Sequence, residues 1–383
     1  MSTSPAVSAR GKVLFVGSVF NGMKYGSYEV MRRLLHQYSA ESFGIVSAAY
    51  RSDAAYDFAD RAITVGVKKL PQGKLGALVG LLQIPFMALQ ALRWCRGTSY
   101  VSLVAVHPSM DMLLLALVLS KILRLPLFPY LHDTIVEAQE KSRLAFLARW
   151  TQRLVFGSAR RVLVMSEGMR AYYQRKYHLD SVVLPHIYAE RVPIQPSVLR
   201  EKTLFWSGGI YGINDHAVLD VVRAASTLGV TTRITAAGGL AKERVLSWRG
   251  EGLLVEAVYY PERGDYVEAL TRQGAHVLAL NDSLQSDFGE GELSTIFPTK
   301  TPDYLASGRP IMVYCPERYE LAAYFQKHKC GIVVTRSEDL PNAIRKVLSD
   351  DSDVQECVQN GLGMMSGFDP CRVAGILSSA IDG

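Results

Sequence analysis

Nothing in this 383-residue chain is spaced for zinc or thiol redox chemistry. Its five cysteines, Cys95, Cys315, Cys330, Cys357 and Cys371, are odd in number and scattered, with no C-x-x-C among them. That argues against a zinc knuckle or a redox pair and fits a reducing, cytoplasmic compartment. No cluster of His, Cys and acids suggests another metal. G-x-S-x-G is missing, so no nucleophilic serine is expected, and no G-x-G-x-x-G dinucleotide fingerprint occurs. No short repeat or low-complexity tract is present. Long apolar runs are missing too: a membrane span needs ~18–20 residues. The most membrane-like window, Gly76 to Cys95, is broken by Gln83, Pro85 and Gln90, and Met112–Leu119 is far too short. A signal peptide is not expected, because the first ten residues are small and polar and Lys12–Gly17 already reads as a strand.

Acid is scarce in one half. Residues 1–195 hold 24 Lys and Arg against 12 Asp and Glu, and the remainder hold 18 against 24. The overall charge of +6 hides that split. It points to an anionic partner for the first half. From Lys141 to Arg161 the chain carries Lys141, Arg143, Arg149, Arg153, Arg160 and Arg161 with no acid. Leu144, Phe146, Leu147, Trp150 and Leu154 recur there at roughly helical spacing. Two readings stay open: a surface that docks on anionic lipid, or a solvated basic face over an ordinary core stripe. Nucleic acid is not expected, since the aromatics do not interleave with the basic residues as a stacking platform requires.

An apolar content of 49% supports packed cores, and the length suits two domains. Short apolar runs alternate with helix-length segments in both halves, which predicts parallel α/β sheets. Strands are expected at Lys12–Gly17, Phe43–Ala48, Tyr100–Val106, Leu127–Leu131, Val162–Met165 and Val182–Leu184. In the second half they fall at Thr203–Trp206, Thr232–Ala236, Leu253–Ala257, Ala275–Leu280, Pro310–Tyr314 and Gly331–Val334. Helices lie between them, including one long helix over Val136–Phe156. Leu184–Pro196 holds three prolines and reads as a linker. The fold class is therefore α/β, with two Rossmann-like domains, 1–188 and 189–383, facing across a cleft. The last helix is allowed to cross back to the first domain. A ligand belongs at the carboxyl ends of such sheets.

The most informative stretch is Phe297-Pro-Thr-Lys-Thr-Pro-Asp-Tyr-Leu-Ala-Ser-Gly-Arg-Pro-Ile311. It reads as loop, short helix, tight turn and strand. Lys300 and Asp303, three apart, share one face of a first helical turn. A cation and a carboxylate held there beside a strand end suit a phosphorylated, hydroxyl-rich ligand. The stretch resembles the donor-site motif of GT-B glycosyltransferases, the P-x-K-x-x-E-Y-L-A-x-G-x-P pattern of the group 1 family.

That resemblance implies transfer of a sugar from a nucleotide-sugar donor to a hydroxyl acceptor, with retention of configuration. Asp303 would hold the donor ribose and Lys300 the diphosphate, so no metal and no cofactor would be needed. The family often follows the first strand of its second domain with an Arg and a Lys that clamp the diphosphate. Here Ser207-Gly208-Gly209-Ile-Tyr-Gly212 carries no basic residue, which leaves backbone N–H groups at Gly208 and Gly209, with Lys300, to serve the phosphates. Many members carry a second acid eight residues before Asp303, where this chain has Thr295. Glu290 and Glu292 read either as sugar contacts or as an exposed loop, and Glu320 as a donor contact or as helix surface. In the first half, Gly22, Lys24 and Gly26 would border the acceptor, or form an ordinary turn. His107 ends one strand and His132-Asp133 ends the next. By resemblance His132 would lie near the reacting sugar, with Asp133 orienting it or touching the acceptor, and His107 on the acceptor side. Ser166 matches a recurrent family position and also fits a helix N-cap. Asp351-Ser-Asp353 reads as helix capping, not as a metal site. The basic first half suggests a lipid-linked or polysaccharide acceptor at the inner face of the cytoplasmic membrane. A sugar-nucleotide epimerase and a non-catalytic binding protein are the rival readings.

Overall fold

The computed structural model describes residues 11–20, 26–49, 59–67, 79–143, 145–188, 201–236 and 239–383. Gly22, Lys24 and most of the expected linker lie outside them. The chain divides into two compact units, Met1–Ala189 with Phe368–Gly383, and Glu190–Gly367.

Among the described residues the first unit is built on seven parallel strands: β1 Lys12–Gly17, β2 Phe43–Ala48, β3 Ala62–Val65, β4 Tyr100–His107, β5 Leu127–Leu131, β6 Val162–Val164 and β7 Ser181–Val183. They lie in the order β3-β2-β1-β4-β5-β6-β7. Its helices are α1 Gly26–Leu35, α2 Ile84–Cys95, α3 Met110–Leu123, α4 Ala145–Ser158, α5 Glu167–Tyr177 and the C-terminal helix Pro370–Asp382. β2 and β5 are buried along their whole length, as a sheet covered on both faces requires. One face packs Leu14, Val16, Leu103 and Ala105 against α2 to α5. The other packs Phe15, Val104 and Val106 against α1 and the C-terminal helix. That helix is tied in by Tyr38, whose hydroxyl donates to the Ala374 carbonyl at 2.7 Å. Gly17 ends β1 where strand order reverses. A Cβ there would sit 2.8 Å from the Val106 carbonyl oxygen of β4, so only glycine fits.

The second unit repeats the plan with, among the described residues, six parallel strands: β8 Thr203–Ser207, β9 Thr231–Thr235, β10 Val255–Val258, β11 Ala275–Ala279, β12 Ile311–Tyr314 and β13 Ile332–Val334. Their order is β10-β9-β8-β11-β12-β13. Helices α6 Asp215–Thr227, α7 Gly239–Gly250, α8 Arg263–Arg272, α9 Glu290–Leu293, α10 Thr301–Ala306, α11 Glu320–His328, α12 Leu340–Val347 and α13 Ser352–Gly363 complete it. In each unit order reverses beside the first strand, at β1/β4 and β8/β11, which opens a crevice at the carboxyl ends there.

Among the described residues, several elements differ from expectation. β3 was not foreseen: it is a short edge strand, mostly half-buried, with weak alternation. The single helix expected over Val136–Phe156 is instead a 3-10 turn at Glu137–Gln139 and, after a break, α4. The fully buried Glu137 carboxylate causes the break. Its Oε1 accepts from Tyr177 at 2.5 Å, Lys176 at 2.9 Å and Tyr172 at 3.1 Å, which pins the turn against α5. α7 was also missed, because Leu240 and Leu246 are exposed and blur its apolar stripe of Ala241, Val245 and Trp248. Among the described residues no helix is long and apolar enough to cross a membrane.

Candidate functional site

The second unit's site is assembled at the end of β8. The Lys300 ammonium donates to the Ser207 carbonyl at 2.5 Å and lies 3.3 Å from the centre of the Trp206 ring. Lys300 is half-buried there. Burial pushes the ammonium down to about 7. Ser207 is held at every polar atom. Its N–H donates to the Tyr304 hydroxyl at 2.7 Å, and its hydroxyl meets that of Tyr266 at 3.1 Å. Gly208 follows at φ +114°, a conformation L side chains rarely adopt. Its N–H donates to Thr235 Oγ1 at 2.9 Å, and its carbonyl accepts from Trp206 Nε1 at 3.2 Å. The exposed Gly209 carbonyl accepts from Asn214, whose own Oδ1 accepts from the Tyr211 N–H. Asn281, after β11, braces the same loop by donating to Gly212 O and accepting from Ala217 N–H.

Asp303 is buried in the first turn of α10. Both its oxygens accept from Arg263, Oδ1 from Nη2 at 2.8 Å and Oδ2 from Nη1 at 3.0 Å. That is the bidentate fork a guanidinium makes with a carboxylate. Arg263 also lies 5.0 Å over the Tyr266 ring. Behind it His276 stacks on Tyr304 at 4.3 Å and shares a 2.8 Å hydrogen bond with Ser307. Burial drives His276 down to about 3, so it is a neutral brace for Tyr304. Gly308, expected as the helix stop, sits just beyond α10 at φ +68°.

The other acids fall elsewhere. Glu290 is drawn onto Arg318, together with Asp282. Glu292 is buried in α9, a helical turn where a loop was the alternative. The buried Thr295 hydroxyl donates back to the Gly291 and Glu292 carbonyls, so no acid stands eight residues before Asp303. Glu320 opens α11 half-buried, its N–H donating to the Ser294 carbonyl at 2.9 Å. Asp351 sits at the N-cap of α13, and Asp353 pairs with Lys346.

In the first unit the carboxyl ends of β4, β5 and β7 bring three histidines near one another. His107 ends β4, His132 follows β5 and His186 follows β7. All three are buried. Burial holds His107 down to about 4, a backbone hydrogen bond at Thr134 opposing it. His132 is pushed well below the ordinary range by burial, with His186 and His107 adding to the effect. Its ring packs edge-on to Tyr130 at 4.4 Å, and neither ring nitrogen has a hydrogen-bond partner among the described residues. Burial raises the Asp133 carboxyl to about 6. Gly26 opens α1, and Ser166 caps α5 by accepting from the Met169 N–H at 3.1 Å. Among the described residues no group of three or more His, Cys, Asp and Glu side chains is placed to hold a metal ion.

Sequence reasoning missed Trp206, Arg263, Tyr266, Tyr304 and His186. Tyr304 stood inside the recognised motif. No spacing signal marks the others.

The paired parallel α/β units, each with its crevice where strand order reverses, define the GT-B fold. In sequence the chain matches no protein-family model and no curated protein. In structure it is similar to HepE from Anabaena, solved in complex with UDP and glucose, with a TM-score of 0.70 and 15% identity over 98% of this chain and 100% of that one. Sucrose-phosphate synthase from Thermosynechococcus elongatus gives a TM-score of 0.71 at 13% identity, over 97% and 98% of the two chains. WaaG, a glycosyltransferase involved in lipopolysaccharide biosynthesis, gives 0.66 at 14% identity, over 97% and 100%. These likenesses are of fold.

Proposed function

We propose that the protein is a glycosyltransferase that moves a sugar from a nucleotide-sugar donor to a hydroxyl acceptor, lipid-linked or on a polysaccharide. The observation that carries this reading is the Lys300 ammonium at the end of β8. A cation whose burial has lowered its pKa to about 7 gains most from an incoming anion. The neighbouring Gly208 backbone lets a ligand approach closely. HepE, of the same fold, was solved with UDP and with UDP-glucose, which supports a nucleoside diphosphate sugar as the anion.

In this reading Lys300 meets the diphosphate and offsets charge on the departing group, so the transfer needs no metal. Asp303, gripped by Arg263 through both oxygens, stands where the resemblance puts the acid that meets the donor ribose. Arg263 supplies cationic charge that the Ser207–Gly212 loop lacks. The first unit's share falls to His132 and Asp133. Burial keeps the His132 imidazole neutral, so its ring can hydrogen-bond a sugar hydroxyl without carrying charge, and Asp133, its carboxyl raised by burial, can orient it or touch the acceptor. Glu290 would meet the donor sugar only by giving up part of its pairing with Arg318. The reading includes retention of configuration and a cytoplasmic enzyme peripheral on the inner membrane face.

The test is thermal unfolding with a panel of nucleoside diphosphates and their sugars, on the wild type and Lys300→Ala. A ligand at 100 times its Kd adds about 2.7 kcal/mol to the folded state. A shift from one base series, lost in Lys300→Ala, is expected. No shift from any series would remove the donor site and favour a non-catalytic protein. Turnover of the donor without an acceptor, giving a different sugar nucleotide, would favour an epimerase.

A further inference from the structure

We infer that one helical layer of the first unit docks on an anionic lipid bilayer through two exposed apolar rows edged with arginine. This deepens the peripheral-membrane part of the proposed function, on which it rests, and uses none of the donor-site residues.

α4 buries Ala145, Ala148, Thr151, Gln152 and Val155 against the sheet. Its outer face should then be polar. Instead Phe146, Trp150 and Leu154 stand there at 65%, 53% and 36% exposure, one row at i, i+4 and i+8. Arg149 and Arg153 form the adjoining row and are exposed as well. A second row runs along α2 and the turn before it. Leu82, Phe86 and Leu89 are exposed at 72%, 52% and 45%, followed by the exposed Arg93 and Arg96. Neither row carries an acid. α2 and α4 both pack against α3, and all three cover the same face of the sheet, so both rows face outward on that side. Where α3 and α4 end, Lys121, Arg124 and Arg160 line an open hollow of ≈ 420 Å³, with Ile122 exposed beside it.

Single exposed apolar residues are normal on a soluble protein. Six large ones in two rows, with arginine as their polar neighbours, form a surface of another kind. Tryptophan suits a boundary that is apolar on one side and wet on the other. Arginine stems can lie along apolar surface while their guanidinium groups reach phosphate. A second copy of the same face would set arginine against arginine, so charge selects an anionic occupant. An apolar anionic surface with no fixed shape is what a bilayer offers, and binding then grows with inserted apolar area and with cation number.

The full chain would be sedimented with vesicles of phosphatidylcholine alone and of phosphatidylcholine with phosphatidylglycerol. Binding to the anionic vesicles only, weakened by salt, is expected. Arg149→Gln with Arg153→Gln should lower partitioning by roughly 30-fold, at about fivefold per basic residue near the surface. Phe146→Ser with Trp150→Ser should lower it by at least ~10-fold. Quenching of tryptophan fluorescence by brominated lipid should fall in Trp150→Phe. These side chains are exposed, so each variant should keep the wild-type melting temperature and any donor-induced shift, which separates this test from the donor site. No sedimentation with either vesicle, or equal binding by wild type and variants, overturns the inference. So does lipid-free self-association that the Ser variants abolish, or capture of a soluble acidic protein in place of vesicles.

Discussion

The Lys300 ammonium should make the ligand-free protein less stable than it could be, and Lys300→Met tests this. The substitution keeps a long stem against Trp206 and removes the charge. In the folded state the ammonium titrates at about 7, and in the unfolded chain near 10.4. Below pH 7 both states are charged, and the folded state bears the whole burial penalty. Between 7 and 10.4 the unfolded chain binds more protons, so stability rises with pH through that window. Above it the penalty is gone. A fall from 10.5 to about 7 corresponds to at most ~5 kcal/mol. Partial exposure of Lys300, and the contacts that Met cannot make with Ser207 and Trp206, reduce the net gain to about 1–2 kcal/mol. Lys300→Met should therefore melt about 2–8 °C higher than wild type at pH 6. The gap should shrink steadily towards pH 10. Circular dichroism melts of both proteins across that range give the answer. The same ammonium should take up a proton when a nucleoside diphosphate binds. Wild-type affinity should then fall by up to tenfold per pH unit above 7, while the variant binds weakly at every pH. A variant that melts below wild type at pH 6, or a gap that ignores pH, would refute the desolvated ammonium.

Gly208→Ala forces a side chain into φ +114° and sets its Cβ 3.4 Å from the Lys300 ammonium. It should cost about 1–3 kcal/mol in urea unfolding and weaken nucleotide-induced thermal shifts by more than that loss explains. Asp303→Asn leaves Arg263 without its carboxylate; because Arg263 is about a third exposed, the cost should be near 1–3 kcal/mol, below that of a fully buried pair. The same variant should raise the Kd for a nucleoside diphosphate more than for inorganic diphosphate, measured by calorimetry. His276 has a folded pKa depressed to about 3, so its contribution is present above pH 6.5 and is lost as pH falls from there towards 3. His276→Phe should preserve the stack on Tyr304 and flatten that acid limb of the melting profile.

The alternation of apolar runs with helical segments carried the α/β fold of both units, because burial on two faces and a 3.6-residue period are local properties of a chain. The motif from Phe297 to Ile311 was legible for the same reason: its prolines, its helix and Gly308 obey rules that act over a few residues. Ser166 showed itself as a cap three residues before the N–H it accepts. The local rules failed where a distant partner overrode them. Glu137 broke an apparent helix because Tyr172, Lys176 and Tyr177, 35 to 40 residues on, hold its carboxylate. The site itself is made mostly of such meetings. Arg263 reaches Asp303 across 40 residues, Lys300 reaches Ser207 across 93, and Ser207 reaches Tyr304 across 97. His186 joins His107 and His132 only because β4, β5 and β7 end at one edge of a sheet. The sequence by itself determined which residues carry charge and which segments become strands and helices. Only the tertiary structure decided which charges are desolvated and which are paired, because burial depends on neighbours that no spacing along the chain records.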